Sequence, residues 1–222
     1  HINYLNAIIL AMELTGTIAF ASSGAMLAIQ KQMDLFGVCV LGVTTSVGGG
    51  LIRDLLLGII PPNMFRKPIY TIIAVLTSII LFSIIYTRRN RKNKKIAEAY
   101  NRIMLIFDTI GLGIFTVVGI NTGRNLGYEQ VFLLIFLGVI TGVGGGLLRD
   151  IMAQEMPYIL TKHIYACASI LGAAVCVLTG SRLGDLWSMT AGMIVVLLIR
   201  FLATYYRWNL PKIQNNNDRE KP

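Results

Sequence analysis

The sequence predicts an all-α integral membrane protein of seven transmembrane helices, built as two inverted three-helix repeats plus a seventh helix. Three observations carry this expectation. Hydrophobic residues make up 55% of the 222 and charged residues only 14%, whereas an ordinary soluble domain is about a quarter charged; the mean hydropathy is +0.65. Apolar runs long enough to cross about 30 Å of hydrocarbon recur along the chain. An unusual phrase, SVGGGLIRD at 46–54, returns almost unchanged as GVGGGLLRD at 142–150.

The helices are expected at roughly 7–29, 35–59, 68–86, 103–122, 127–152, 160–180 and 186–206, each near the length a spanning helix needs. The first run has no small-residue cleavage site after a basic start, so it reads as a span and not as a cleaved signal. His1 is given no role. Connections are short except for TRRNRKNKKIAEAYNR at 87–102, in which seven basic residues crowd together. Lys and Arg are retained on the cytoplasmic side of a membrane. With seven spans, Lys31, the cluster from Arg88 to Arg102, Lys162 and the tail from Arg207 share one face, while Arg66, Lys67, Arg124 and Arg182 share the other, thirteen against four. The chain is therefore expected in the plasma (inner) membrane of a prokaryote, with its N-terminus outside and its C-terminus and basic loop in the cytoplasm. Trp187, Tyr205, Tyr206 and Trp208 suit the interfacial belts. The net charge of +9 then reads as topology and contact with anionic membrane lipid; no nucleic-acid partner is expected. The boundaries are 2–86 for repeat one, 87–102 for the loop, 103–180 for repeat two, 181–207 for helix seven and 208–222 for a polar tail.

Sliding the second half over the first by 96 residues aligns Val47 with Val143, Gly48 to Gly50 with Gly144 to Gly146, Arg53 with Arg149, Asp54 with Asp150 and Pro61 with Pro157. A shift of 95 aligns Glu13 with Asp108, Gly16 with Gly111, Phe20 with Phe115, Gly24 with Gly119 and Tyr70 with Tyr165. Each copy holds three helices, an odd number, so the copies enter the membrane from opposite sides. Such inverted repeats place the functional region where they meet, near the bilayer midplane.

The duplicated residues are the candidate site. Each glycine costs about 1 kcal/mol relative to Ala in a helix, so Gly48, Gly49, Gly50 and Gly144, Gly145, Gly146 are expected to kink or unwind their helices; close packing of helices through small residues is the competing reading. Arg53, Asp54, Arg149 and Asp150 each cost about 2.5 to 3.5 kcal/mol at mid-membrane on insertion scales. Neighbours on a helix point about 100° apart, which predicts pairing across the repeats, Arg53 with Asp150 and Arg149 with Asp54. Glu13 and Asp108 complete a set whose summed charge of minus two favours a cation. The hydroxyls of Thr44, Thr45, Ser46 and Thr141 supply oxygens able to replace part of an ion's water shell. Helix N-termini after the breaks, with the arginines, would instead attract a carboxylate.

Enzymatic readings find no support. HExxH, GxSxG and GxxxxGK[ST] are absent, and GVGGGLLRD fails GxGxxG because Leu147 stands at the last glycine position. Cys39, Cys167 and Cys176 lie in apolar runs without metal-ligand spacing, and His163 follows Lys162 at a helix start. Neither a metal nor a cofactor is expected, and the chain is not expected to be an enzyme.

The doubled GGGxxRD signature, the three-plus-three-plus-one helices and the turns at Pro61 and Pro157 resemble the prokaryotic members of the trimeric intracellular cation (TRIC) channels, from about Glu13 to Tyr206. That resemblance implies a homotrimer with an hourglass-shaped pore in each subunit, lined by the second and fifth spanning helices and passing K+ and Na+. Animal members carry Lys-Glu-Val after the glycines; Arg53-Asp54-Leu55 and Arg149-Asp150-Ile151 depart from this, so phosphoinositide regulation is not implied. Bacterial relatives with the same domain are described as glycine transporters, which makes glycine the alternative substrate.

Overall fold

The computed structural model describes residues 2–87, 94–161, 164–206 and 208. Among them the chain is helical throughout, with no strand: α1 (Ile2–Gln30), α2 (Leu35–Leu56), α3 (Asn63–Arg66), α4 (Ile69–Thr87), α5 (Lys94–Asn125), α6 (Val131–Met152), α7 (Tyr158–Thr161), α8 (Tyr165–Leu183) and α9 (Asp185–Tyr205). All except the four-residue α3 and α7 are long and apolar enough to cross a membrane, which makes seven such helices. The seven expected spans are present. The fifth expected span is α6, because each repeat also carries a short helix that sequence periodicity does not reveal.

The repeats match in packing as well as in order. α1 packs on α2, α4 and α5, and α2 and α6 pack on each other; α4 flanks α1 and α2 as α8 flanks α5 and α6. α9 lies on α8 and α5, so it extends the second repeat alone. Equivalent small residues seat equivalent large ones. A Cβ on Gly16 would press on the Phe115 ring and one on Gly111 on the Phe20 ring, and those two rings meet with centroids 5.3 Å apart. Gly24 sits against Thr45 and Leu41, and Gly119 against Thr141 and Leu137. α4 shows the reverse face of this economy: Ile72, Leu76, Ile80 and Ile84 are exposed, an apolar surface suited to lipid.

Helix ends are duplicated too. Asp34 caps α2, its carboxylate accepting from the Gly37 amide at 2.8 Å. At the other end Ile59 N–H donates to Asp54 O at 2.8 Å and Gly58 N–H to Leu55 O at 3.2 Å, around Gly58 at φ +68°. α6 closes identically: Glu155 N–H donates to Asp150 O at 2.9 Å and Gln154 N–H to Ile151 O at 3.1 Å, with Gln154 at φ +54°. Both are Schellman endings, in which a left-handed residue turns the chain out of the helix. This stop explains why α2 ends at Leu56, short of the expected 59. α5 begins at Lys94, nine residues before the expected start, so part of the basic stretch is helical; residues 88–93 lie outside the described residues, as do Lys162 and His163.

The unwound turn that is one expectation for the glycine triplets is not found. α2 and α6 remain helical through Gly48–Gly50 and Gly144–Gly146. The physical reason is close approach. A Cβ on Gly49 would collide with the Thr141 carbonyl oxygen, one on Gly145 with the Thr45 carbonyl oxygen, and one on Gly144 would come within 3.1 Å of the Gly49 Cα. Gly48 faces Leu148, and Gly144 faces Ile52, so the helices cross antiparallel with their backbones in contact. The triplets thus pack as small-residue contacts between the two helices.

Candidate functional site

Three and four residues past each triplet stand an Arg and an Asp, in the last turn of the helix. Because α2 and α6 cross antiparallel, the pairs lie on opposite sides of the crossing, roughly 12 Å apart along the axes at about 1.5 Å per residue. That separation excludes the cross-repeat pairing expected from the sequence. Arg53 instead bonds its own neighbour, donating from Nε at 2.9 Å and Nη2 at 2.6 Å to Asp54 Oδ1. Arg149 donates from Nε to Asp150 Oδ1 at 2.8 Å, and its Nη2 lies 2.8 Å from the same oxygen as an ion-pair contact. The Cβ directions of neighbours diverge, but the arginine stem is long enough to fold back along the helix end. Each aspartate is in turn fixed by the chain that follows it. Asp54 Oδ2 accepts from the Asn63 backbone amide at 2.7 Å, and Asp150 Oδ2 from that of Tyr158 at 2.8 Å. The carboxylates thus hold α3 and α7, satisfying amides at helix N-termini that have no partner within the helix.

Two clusters form around these pairs. In the second, Arg149 is fully buried and its Nη1 donates to Asp108 of α5 and to the Ser23 hydroxyl of α1; its guanidinium also lies over the Tyr158 ring, 5.4 Å from the centroid. Burial pushes the Tyr158 phenol above its ordinary range. Asp108 and Asp150 are buried as well, so one guanidinium joins α1, α5 and α6 between two carboxylates. In the first cluster Arg53 bonds Asp54 alone, while Glu13 of α1 accepts from the Tyr70 hydroxyl of α4. Each cluster carries two carboxylates against one guanidinium. A cavity of about 200 Å³ opens on the α6 end, lined by Gln30, Asn101, Asp150, Glu155 and Tyr158 among others; Lys31 pairs with Glu155 beside it.

The expected hydroxyls divide. Thr45 and Thr141 are buried in the seams of α1 with α2 and α5 with α6, donating to Leu41 O at 2.6 Å and Leu137 O at 2.5 Å. Their backbone carbonyls, not their hydroxyls, lie at the crossing. Ser46 donates to Val43 O at 3.0 Å, and Thr44 is half-buried on the same helix. Sequence reasoning passed over Ser23, Asn63 and Arg200, and it gave Tyr70 and Tyr165 no role. The two tyrosines align at a shift of 95, and that duplication is the signal for their part in the clusters. Arg200 could have been found as a cation inside an apolar run; it is buried on α9, 4.9 Å above the centroid of the Tyr165 ring.

A protein-family model described as glycine transporter matches the chain twice, at residues 10–86 and 105–181. The UPF0126 inner membrane protein YadS of Escherichia coli strain K12 is 39% identical over 203 residues, covering 90% of this chain and 93% of the relative. A crystal structure of a prokaryotic TRIC channel in 0.5 M KCl matches with a TM-score of 0.83 at 33% identity, over 92% of this chain and 100% of that one. The TRIC trimeric intracellular cation channel orthologue from Rhodobacter sphaeroides matches with a TM-score of 0.81 at 30% identity, over 90% and 99%. With the repeated model match, near-complete coverage and a shared seven-helix fold, the chain belongs to the family that joins the UPF0126 membrane proteins to the prokaryotic TRIC channels.

Proposed function

We propose that the protein is a membrane channel for monovalent cations, K+ or Na+, with a path in each subunit that runs along α2 and α6 from one charged cluster to the other. The observation that carries this reading is the charge balance at the two ends of the glycine crossing. Asp54 bonds Arg53 at one end, where Glu13 on Tyr70 adds a second carboxylate and leaves one negative charge to favour a cation, while at the other Asp108 and Asp150 face Arg149 with Arg200 over the neighbouring Tyr165 ring. The structural neighbours are cation channels by description, which supports the same reading. The assembly we propose is a homotrimer in a prokaryotic inner membrane, N-terminus outside, so that the Arg149 cluster and its cavity face the cytoplasm.

Glycine transport is the second reading, favoured by the family model's description and by the backbone contact between Gly49 and Gly145, an occlusion of the kind an alternating carrier requires. Purified protein in planar bilayers under a KCl gradient, with radiolabelled glycine uptake in matched liposomes, separates the two. Unitary currents reversing near the K+ equilibrium potential are expected. Saturable glycine uptake without such currents would replace the channel by the carrier.

A further inference from the structure

The two charged ends are built from equivalent residues, yet they do not carry equal charge. At one end Arg53 holds Asp54 and Glu13 accepts from Tyr70; among the described residues no cation lies over the Tyr70 ring or pairs with Glu13. At the other end Arg149 lies between Asp108 and Asp150, and a second guanidinium stands behind Tyr165. Arg200 is buried on α9, 4.9 Å above the centroid of that ring. Helix packing puts it there. α8 and α9 run antiparallel with Gly172 against Gly192 and Val196, which brings Arg200, one turn beyond Val196, level with Tyr165 at the start of α8. The far end of the phenol reaches the cluster: its hydroxyl is 2.9 Å, and Asp108 Oδ1 3.7 Å, from the point where Gly146 would carry a Cβ. Arg200 has no carboxylate of its own. Its guanidinium makes no ion pair among the described residues, and its Nε no hydrogen bond. Arginine stays charged in proteins and burial weakens screening, so this charge acts across the ring on Asp108, whose buried Oδ2 also lacks a hydrogen-bond partner.

We propose that Arg200 sets the charge of this end of the path: across the Tyr165 ring it offsets the negative charge that Asp108 and Asp150 leave over Arg149, so that cations are drawn to the Glu13 end alone and the path rectifies. At the Glu13 end two carboxylates against one guanidinium leave one negative charge. At the Arg149 end two carboxylates against two guanidinium groups leave none. A charged mouth concentrates permeant ions on the side from which they enter, and K+ current is therefore larger when K+ enters at the Glu13 end. The inequality has its source outside the duplication, in α9, which belongs to neither repeat and packs on α5 and α8. Arg200 acts through space and needs no contact with the ion.

The inference rests on the channel reading, but one of its two measurements needs no current. Met104 lines the cavity at this end, one turn from Asp108, and the exposed Asn101 lines it too. In the detergent-solubilised full chain with Cys39, Cys167 and Cys176 replaced, Met104→Cys or Asn101→Cys is modified at low ionic strength by a cationic and by an anionic thiol reagent of equal size. The ratio of the two rates reads the local potential and cancels differences in access. Arg200→Gln should raise the cationic-to-anionic ratio at Met104→Cys about three- to tenfold, as Coulomb's law gives for one charge roughly 12 Å away at effective dielectric constants of about 40 to 80, felt by probes of opposite sign. Asn101→Cys should move the same way by less, and Arg200→Lys, which keeps the charge, should leave both ratios unchanged. In planar bilayers at low symmetric KCl the unsubstituted protein and Arg200→Lys should pass more current when K+ enters at the Glu13 end. Arg200→Gln should make the current nearly linear, Glu13→Gln/Arg200→Gln should reverse its asymmetry, and high salt should erase each difference. Ratios that ignore Arg200→Gln at both positions, linear currents without any substitution, or Arg200→Lys behaving as Arg200→Gln would overturn the proposal. A raised ratio, restored by Arg200→Lys, in a protein that passes no cation current would keep the neutralisation by Arg200 and remove the channel.

Discussion

At the scale of single residues, Asp54 and Asp150 each join an arginine on their own helix to a backbone amide beyond the helix end. Asp54→Ala therefore strips Arg53 of its only partner and releases Asn63 at once, whereas Arg53→Ala leaves Asp54 the Asn63 amide. Breaking a buried pair typically costs about 3 to 5 kcal/mol, and Asp54→Ala should lie toward the upper end with Arg53→Ala below it. Thermal unfolding in detergent is the measurement. Arg53→Ala/Asp54→Ala should cost less than the two singles together, and Arg53→Ala/Asp150→Ala should be additive, as distant sites are. Coupling in the second pair and not the first would restore a link across the repeats. By the same logic Arg149→Ala should be more damaging than Arg53→Ala, since it leaves two buried carboxylates unpaired instead of one. The identity of these residues was legible in the sequence because charge is rare in spans and this charge is doubled. Their partners were not. The angular divergence of helix neighbours is a statement about Cβ directions, and it omits both the reach of arginine and the antiparallel crossing that carries the two pairs apart.

At the scale of the element, the triplets show that a glycine's role is set by what the neighbouring helix presents. Gly49 and Gly145 face backbone, whereas a Cβ on Gly50 would meet nothing nearer than Arg53 Nη2 at 3.6 Å. The three positions of a triplet should therefore respond differently to one methyl group. Gly50→Ala should be neutral or stabilising by up to about 1 kcal/mol, the helix-propensity gain. Gly49→Ala should destabilise by about 1 to 3 kcal/mol, because a carbonyl and its helix must move. Melting temperatures of the two variants decide between packing and bending: a triplet acting as a hinge would lose its transport equally at both positions and gain stability at both. Propensity alone pointed to a broken helix here. The compensating contact lies 96 residues away, and nothing local announces it. The short α3 and α7 escaped for a related reason: four residues have no periodicity to read, and they are anchored by carboxylates from the preceding helix.

At the scale of the whole molecule, the odd number of helices in each repeat and the single helix outside them make topology and charge one problem. α5 offers the test within one rigid element. Arg102 near its start adjoins the basic stretch, and Leu126 lies just past its end, where Arg124 pairs with Asp185 at 3.2 Å and bonds the Cys176 and Val177 carbonyls, pinning α5 to α8 and α9. Both positions are exposed. If the thirteen positive charges face the cytoplasm, then in a background without the native cysteines Arg102→Cys should react with impermeant thiol reagents from the cytoplasmic side only, and Leu126→Cys from the outside only. The opposite pattern would invert the protein and turn the Arg149 cluster outward. Reaction of both positions from both sides would mean a dual insertion, in which case the charge excess of thirteen to four does not govern this chain and each subunit's two differently bonded ends would face both compartments.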